Sequence, residues 1–377
     1  MKDKNLLMIP GPVQVDPAVL HKMQVEMFSH RSKEYETLQA EVCANLQKVL
    51  GAKGNVFVIT GSGTAAIEFM VSNLVAPGEK IVCCVNGVFG KRLAECIKVF
   101  DEDMTVIESP AGSGIDLEGL RYAVSAGGVK IVACVLNETS TGVFNQINEV
   151  GKIAKSAGAM LIVDDVSGVG NPFSMDEVGV DALATATQKA IGAPPGLAFA
   201  IFNEKAMNKA RNTPHRNFYF NFETFEKFAK KNQTPYTPPI SILLATKKST
   251  ELILAEGVDE FVKRHNKCAR ATRAAMKALG FSLFADPAVA SNCVTSVACD
   301  FSVELVTKMK QDFKVQMANG QDELKGKIFR IGHMGPVDWK DLLLTVSAME
   351  MALLELKGED KIGVGTAAFM REWVKKN

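Results

Sequence analysis

The sequence lacks a long uninterrupted apolar run, and it therefore predicts no membrane-spanning helix. The one stretch of membrane-like length, residues 56–76, carries Glu68 and is broken at its centre by the letters GSGT. Each half is far shorter than the roughly 20 apolar residues that cross a bilayer. The opening letters MKDKNLLMIPGP contain too short an apolar stretch for a secretory signal, so we expect no signal peptide.

The chain also lacks an excess of charge of either sign. Its 43 Lys and Arg residues and 42 Asp and Glu residues give a net charge of +1, which provides no basic surface for nucleic acid. Eight cysteines fall mostly inside apolar patterns rather than in a disulfide framework, so we predict reduced thiols and a cytosolic enzyme. His265 and His333 have no acidic or cysteine partners at metal-ligand spacing, and no zinc site is predicted.

Helix-like and strand-like patterns alternate along the first half of the chain. Helical spacing appears at 34–49, 64–75, 90–99, 116–126 and 146–157, and strand patterns appear at 55–59, 80–85, 104–108, 129–136 and 159–164. Such alternation predicts a mostly parallel sheet covered by helices on both faces. A chain of 377 residues favours two domains. We expect an arm over 1–15, a large domain over 16–256 and a smaller α+β domain over 257–377, because AEGVDE interrupts a helical region near 256.

One lysine follows a strand-like apolar pattern. Residues 182–186 are typical of a buried strand, and Lys189 comes just after them and before the chain-breaking letters GAPPG. Burial lowers the pKa of a lysine towards the range in which the free amine attacks carbonyl groups. A lone lysine after a strand is more often a surface residue, so Schiff-base chemistry needs a second observation.

Two acids supply that observation. Residues 159–163 are typical of a fully buried strand, which ends in Asp164 and Asp165. The carboxyl ends of strands are where open α/β sheets bind ligands, although one acid could simply cap the next segment. A pyridinium cofactor needs a carboxylate beside its ring nitrogen. An aspartate and a lysine at two such strand ends meet both requirements of that cofactor.

A glycine-containing loop forms a third candidate feature. The apolar run 56–59 ends in the letters TGSGT and enters a helical pattern, so backbone N–H groups, hydroxyls and a helix dipole converge where a phosphate could bind. The same letters fit a dinucleotide fingerprint. That alternative expects an acid at the end of the next strand, whereas KIVCCV is followed by Asn86 and Gly87.

Taken together, these motifs resemble the class V aminotransferases of the pyridoxal-phosphate fold-type-I superfamily, in particular the alanine–glyoxylate and serine–pyruvate group. The matching motifs run along most of the chain: IPGP at 9–12, FSHRSKEY at 28–35, TGSGTAAIE at 60–68, NGVFGKR at 86–92, NETSTGV at 137–143, VDDVSGVG at 163–170, TQKAIGAPPG at 187–196, TPYTPPIS at 234–241 and FRIGHMG at 329–335. The resemblance implies a large domain with a mostly parallel seven-stranded sheet, pyridoxal 5'-phosphate as cofactor, and a homodimer with active sites at its interface.

The resemblance also implies a role for each matching residue. It makes Lys189 the Schiff-base lysine and the general base, and it makes Asp164, rather than Asp165, the partner of the ring nitrogen. The other implied cofactor contacts are the phosphate cup Ser62, Gly63 and Thr64 with Gln188 beside the lysine, the stacking ring Phe89, the polar group Ser140 (or Thr139) near the ring hydroxyl, and Thr237 (or Tyr236) on the phosphate of the neighbouring subunit.

Arg330 in KIFRIGHMG matches the family's clamp for the substrate carboxylate. A planar guanidinium can grip a carboxylate with two hydrogen bonds, whereas an arginine at a strand end is otherwise a surface residue. His30 and Arg31 lie in a family motif, but the sequence leaves their roles open.

The resemblance implies an aminotransferase that moves an amino group from a small amino acid (alanine, serine or aspartate type) to a small 2-oxo acid, glyoxylate or pyruvate, by a ping-pong route. A transaminase of 2-aminoethylphosphonate or another unusual amine is the alternative within the family. Cysteine desulfurases share the fold and use a cysteine on a late loop, but Cys293 lies in an alternating pattern typical of a buried strand. A dehydrogenase that binds NAD, or a binding protein without catalytic activity on the same fold, fits the motifs less well.

Overall fold

A computed structural model describes residues 5–101, 103–214 and 217–375. Its strands are β1 (Leu6–Leu7), β2 (Asn55–Gly61), β3 (Lys80–Val85), β4 (Met104–Glu108), β5 (Val129–Val135), β6 (Asn137–Glu138), β7 (Val143–Phe144), β8 (Met160–Asp164), β9 (Ala182–Ala186), β10 (Gly196–Phe202), β11 (Ser282–Leu283), β12 (Val294–Ala298), β13 (Val315–Gln316), β14 (Ala318–Asn319) and β15 (Ile328–Gly332). Its helices are α1 (Pro17–His21), α2 (Lys33–Leu50), α3 (Gly63–Leu74), α4 (Val88–Phe100), α5 (Leu117–Ser125), α6 (Ile147–Ser156), α7 (Met175–Val178), α8 (Glu204–Asn212), α9 (Phe222–Ala229), α10 (Ile240–Glu256), α11 (Val258–Ala278), α12 (Ser302–Gln311), α13 (Trp339–Lys357) and α14 (Val364–Trp373).

A seven-stranded sheet in the order β2-β10-β9-β8-β5-β3-β4 forms the centre of the larger part of the molecule. Its neighbouring strands pair in parallel except at β10, which runs antiparallel to both β9 and β2. The predicted mostly parallel seven-stranded sheet is therefore confirmed. Because β2 and the parallel strands point the same way, their carboxyl ends meet at one edge, where ligands bind in such sheets.

Helices bury both faces of this sheet. One hydrophobic core packs α2, α5 and α6 against residues such as Val132, Val163 and Leu183, and the other packs α3, α4 and α8 against residues such as Ile162 and Ala184. Both faces of the central strands are apolar, which is the pattern expected of strands covered on both sides. Successive residues of one strand therefore face different helix layers.

The C-terminal part of the chain builds a second, smaller sheet. Its antiparallel strands lie in the order β11-β12-β15-β14, and they share a separate hydrophobic core with α11 to α14. The helical region predicted over 240–279 divides at Gly257, which lies between α10 and α11 with φ of 90°. This break falls where the sequence places the boundary between 16–256 and 257–377, although the division into two domains stays a prediction.

The N-terminal arm connects the two parts. Residues 1–4 of the predicted arm lie outside the described residues, and β1 pairs in parallel with β13 of the smaller part. Further along, the Met8 carbonyl accepts a hydrogen bond from the Gly332 N–H, and the Val13 N–H donates to the Gln188 carbonyl beside Lys189. The arm thus runs from the smaller part directly to the predicted active site.

All eight cysteines are unpaired thiols, as predicted. Within the described part of the chain, none of the helices has the length and apolar character that crossing a bilayer requires.

Candidate active site

The predicted cofactor residues gather at the carboxyl edge of the seven-stranded sheet. Asp164 ends β8 and lies opposite Ala184 of β9, and Lys189 follows β9 after a short turn. Ser62 begins α3 directly after β2, and Phe89 lies in the first turn of α4 after β3. Loops after parallel strands deliver all of these side chains, as the strand-end argument predicts.

Lys189 is partly buried and lies among charged groups. Burial is the main reason that its pKa falls to about 8; the positive charge of Arg330 acts in the same direction, and Asp164 opposes the change. Its amine donates a hydrogen bond to the Pro10 carbonyl at 2.5 Å. An amine with this pKa is partly neutral near physiological pH, and the neutral form is the nucleophile and the base.

The arm leaves no room for a side chain over the lysine. Gly11 has φ of 103°, and a Cβ atom built on it would lie 2.6 Å from the Lys189 Nζ and 2.8 Å from its Cε. Both distances are far below a normal van der Waals contact, so a side chain here would displace the lysine, and the positive φ of Gly11 is one that other residues rarely adopt. The IPGP motif therefore encloses the lysine, a role that the sequence alone did not reveal.

The two neighbouring acids lie in different environments. Asp164 is buried and its Oδ1 accepts a hydrogen bond from the Val166 N–H at 2.9 Å. Burial raises its pKa to about 6, although the positive charges of Lys189 and Arg92 oppose the rise. Asp165 is fully buried, and burial together with the charge of Asp164 raises its pKa far above the ordinary range. Only Asp164 is therefore electrostatically linked to the lysine.

The start of α3 provides free hydrogen-bond donors. Ser62 is the N-cap residue, yet its hydroxyl makes no capping hydrogen bond, and the N–H groups of a helix's first turn have no intrahelical acceptor. A Cβ atom on Gly63 would lie 2.5 Å from Val166, so only glycine lets the helix start this close to the turn after β8. Gln188, beside the lysine, has a buried Oε1 atom without a hydrogen-bond partner among the described residues.

Phe89 and Ser140 are joined by a buried acid that the sequence-based assignment missed. Glu138 accepts hydrogen bonds from the backbone N–H groups of Phe89 and Gly90 at 3.0 Å, and from the Ser140 hydroxyl at 2.5 Å. It thereby caps α4, whose N-cap Gly87 has no side chain to do so. Glu138 lies inside the quoted motif NETSTGV, but its function is visible only once α4 and the loop after β5 are placed together.

Phe89 also contacts a cation. The Arg92 guanidinium lies over the Phe89 ring with its carbon atom 4.9 Å from the ring centroid. The ring is half-buried at the edge of the site.

Arg330 reaches the same site from the smaller sheet. It lies in β15, it is buried, and its Nη1 donates to the Thr139 carbonyl at 2.9 Å. Burial lowers its pKa to about 10, and the negative charge of Glu138 opposes that change. No ion pair links Arg330 to an acid among the described residues, so the site contains a buried cation that lacks a direct counterion.

Thr237 differs from the other predicted cofactor residues in its exposure. Its side chain is exposed, and the neighbouring Tyr236 stacks on Tyr219 with centroids 4.8 Å apart. Arg31 holds this segment in place, because its guanidinium donates to the carbonyls of Thr234 and Pro235. Arg31 is therefore engaged away from the lysine, while His30 makes no described contact that assigns it a role.

The remaining candidates from the sequence are structural. Cys293 is fully buried just before β12, its thiol donates to the Val169 carbonyl at 3.4 Å, and burial raises its pKa. This is the environment of an inert thiol rather than a nucleophile. His265 and His333 are buried, and burial lowers the pKa of each to about 3, so both are neutral hydrogen-bonding side chains.

Residues 10–321 match the family model Aminotransferase class-V, and the chain therefore belongs to the class V aminotransferase family. The resemblance inferred from the motifs is confirmed, and with it the expectation of an aminotransferase of fold type I.

Several curated proteins match along almost the whole chain. An uncharacterized aminotransferase of Methanocaldococcus jannaschii is 37% identical and the match covers 95% of both chains. The small subunit of a soluble hydrogenase of a Synechococcus species is 36% identical, over 98% of this chain and 99% of that one. An L-aspartate–glyoxylate aminotransferase of Paracoccus denitrificans is 30% identical, over 98% of this chain and 96% of that one.

Among solved structures, a ureidoglycine–glyoxylate aminotransferase from Bacillus subtilis superposes with a TM-score of 0.93. The match covers 100% of this chain and 99% of that one at 26% sequence identity. The likeness therefore includes both sheets and the arm.

The described residues fit pyridoxal phosphate. The uncapped start of α3 offers hydrogen bonds to a phosphate, Asp164 offers a carboxylate, and Lys189 offers an amine whose pKa is lowered. The buried Oε1 of Gln188, which has no hydrogen-bond partner among the described residues, leaves a further polar group for the cofactor beside the lysine.

Replacement of Gly11 by alanine tests whether the arm positions the lysine. Gly11→Ala should reduce the rate at which Lys189 reacts with pyridoxal phosphate by at least about tenfold, because the added methyl group overlaps the lysine side chain. Absorption spectroscopy after mixing the apoprotein with the cofactor measures this rate. Gly78→Ala is the matched control, since Gly78 also has a positive φ but no atom within 4 Å of the position that a Cβ would take. Equal rates in both variants would contradict the steric role.

Proposed function

We propose that the protein is a pyridoxal-phosphate-dependent aminotransferase that moves an amino group from a small amino acid to a small 2-oxo acid, glyoxylate or pyruvate, by a ping-pong route. One observation carries this proposal: Asp164 and Lys189 follow the neighbouring strands β8 and β9 and interact electrostatically, with the pKa of the amine lowered to about 8 and that of the carboxyl raised to about 6. Such paired, opposed shifts are typical of catalytic groups.

The names of the relatives support the choice of substrates. Both the Paracoccus denitrificans protein and the Bacillus subtilis structure are named as glyoxylate aminotransferases, one with L-aspartate and one with ureidoglycine. Another relative is named as a hydrogenase subunit, whereas Lys189 and Asp164 are groups that aminotransferase chemistry uses. These relatives do not favour the alternative of an aminophosphonate transaminase.

The proposed chemistry divides among the residues of the site. Bound pyridoxal phosphate supplies an electron-withdrawing ring that stabilises the negative charge left when the substrate loses a proton from Cα. The Asp164 carboxylate would pair with the ring nitrogen of the cofactor and keep it protonated, and its burial would strengthen that interaction. Lys189 takes the proton from Cα and returns it, because its amine is uncharged at a pH at which an ordinary lysine is not.

The other predicted residues would hold and orient the cofactor and the substrate. Ser62, Gly63, Thr64 and Gln188 would hold the phosphate, and Phe89 would cover the ring. Ser140, whose hydroxyl is oriented by Glu138, would contact the ring hydroxyl. Arg330 binds the substrate carboxylate, which supplies the counterion that the buried guanidinium lacks. A cytosolic location remains a prediction.

We further propose a homodimer in which Thr237 contacts the phosphate of the partner's site. Thr237 is exposed, and large side chains beside the neighbouring Tyr236 are exposed as well: Phe218 at 87%, whose ring lies 6.3 Å from that of Tyr236, and Tyr219 at 43%, which stacks on Tyr236. Exposed apolar side chains concentrated in one region favour an interface. Light scattering at assay concentration should give twice the mass of the 40.7 kDa chain. A fully active monomer would exclude this arrangement.

The experiment that tests the function directly is covalent labelling. The protein saturated with pyridoxal phosphate should be yellow, and borohydride should fix the cofactor irreversibly on Lys189, as read by peptide mapping. Lys189→Ala should abolish turnover and labelling while thermal unfolding shows an intact fold. Lys205 is a control for non-specific labelling, because its side chain is 51% exposed and its amine pairs with Asp181. Label on any lysine other than Lys189 would refute the proposal.

A further inference from the structure

The buried guanidinium of Arg330 is already engaged by its own chain. Nε and Nη2 both donate to the Asn319 carbonyl, at 3.1 and 2.7 Å. Nη1 donates to the Thr139 carbonyl at 2.9 Å and to the Gln321 Oε1 at 3.1 Å. A guanidinium has five N–H groups. The four contacts use four of them, so one N–H, on Nη2, has no acceptor among the described residues.

A two-point grip on a carboxylate needs two N–H groups, on adjacent nitrogens. With all four contacts in place, Arg330 can offer only one. One of the present acceptors must therefore leave before the substrate carboxylate is held by two hydrogen bonds.

Gln321 is the acceptor that can leave. The other acceptors are backbone carbonyls, and those of Thr139 and Asn319 are fixed by the loop after β6 and by β14 next to β15. The Gln321 amide is a flexible side chain on a loop, partly exposed, and the next residue, Asp322, has a positive φ of 47°. When Gln321 withdraws, Nη1 and Nη2 each present one N–H.

The molecule also has space for the withdrawn side chain. A cavity of about 200 Å³ lies between the loop 321–324 and the start of α4, and both Gln321 and Ser140 line it. Lys91, Glu108 and Ser109 give its wall polar groups that can bind a primary amide. Gln321 can therefore move without losing all its hydrogen bonds.

We propose that Gln321 occupies the carboxylate position on Arg330 until a substrate arrives, and that residue 321 thereby sets the affinity of the site for small carboxylic acids. This proposal rests on the proposed function, in which Arg330 binds the substrate carboxylate. Gln321 acts as a competitor within the chain: its neutral amide satisfies the buried cation at rest and yields to a charged carboxylate, which forms a stronger hydrogen bond.

Two substitutions at position 321 have opposite expected effects. Gln321→Leu removes the competing acceptor, so a carboxylate should bind about three- to tenfold more tightly. Gln321→Glu places a carboxylate of the chain itself against Arg330, so an external carboxylate should bind at least about tenfold more weakly. Gln311→Leu, at the end of α12, is the matched control for a change of glutamine to leucine on the surface.

Calorimetric titration of the holoenzyme with glycolate measures these affinities without turnover, because glycolate has the size and carboxylate of glyoxylate but no group that reacts. Thermal unfolding verifies that each variant is folded. An unchanged or weaker affinity of Gln321→Leu for glycolate would overturn the proposal, since Gln321 would then be neutral or would itself bind the ligand.

Arg330→Ala separates this proposal from the proposed function. If Arg330→Ala binds glycolate as tightly as the unchanged protein, another residue binds the carboxylate. The role of Arg330 in the proposed function and the role of Gln321 are then both wrong. If Arg330→Ala loses glycolate binding while Gln321→Leu and Gln321→Glu match the unchanged protein, only the role of Gln321 is wrong.

Discussion

The removal of charged groups from water at one sheet edge is the constraint on which the rest of this structure depends. Lys189, Asp164 and Arg330 are each enclosed by protein, and burial is the main cause of the pKa shift of each. A buried charge is tolerated when partners or hydrogen bonds compensate it. The site leaves this compensation incomplete, and under the proposed function the cofactor and the substrate carboxylate would complete it.

Enclosure of these charges needs segments that are far apart in the sequence. The N-terminal arm covers Lys189 through Pro10 and Gly11, the smaller sheet delivers Arg330, and Glu138 ties the start of α4 to the loop that carries Ser140. Each contact joins a strand-end loop to another element, so the geometry of the site depends on both sheets. The site is therefore a property of the whole fold rather than of one motif.

The sequence predicted most of the architecture because periodicity and strand-end chemistry are local. Neighbouring residues encode the strand predicted at 159–163, the start of a helix after TGSGT and the break near 256. The structure has each of these features within a few residues of its predicted position. The roles of Gly11, Glu138 and Gln321 could not be predicted in this way. Each depends on a contact across many positions, with Lys189, the α4 backbone and Arg330 respectively, and no local pattern encodes such contacts.

Of the two adjacent acids, only Asp164 interacts electrostatically with the lysine. Asp164 follows Ile162 on the face packed by α3 and α4, whereas Asp165 follows Val163 towards the opposite face. Steady-state kinetics of Asp164→Asn and Asp165→Asn with glyoxylate as acceptor tests this most directly. We expect a loss of at least about a hundredfold in kcat for Asp164→Asn, the scale of removing a key electrostatic stabiliser, and a far smaller loss for Asp165→Asn. Equal losses in two folded variants would contradict it.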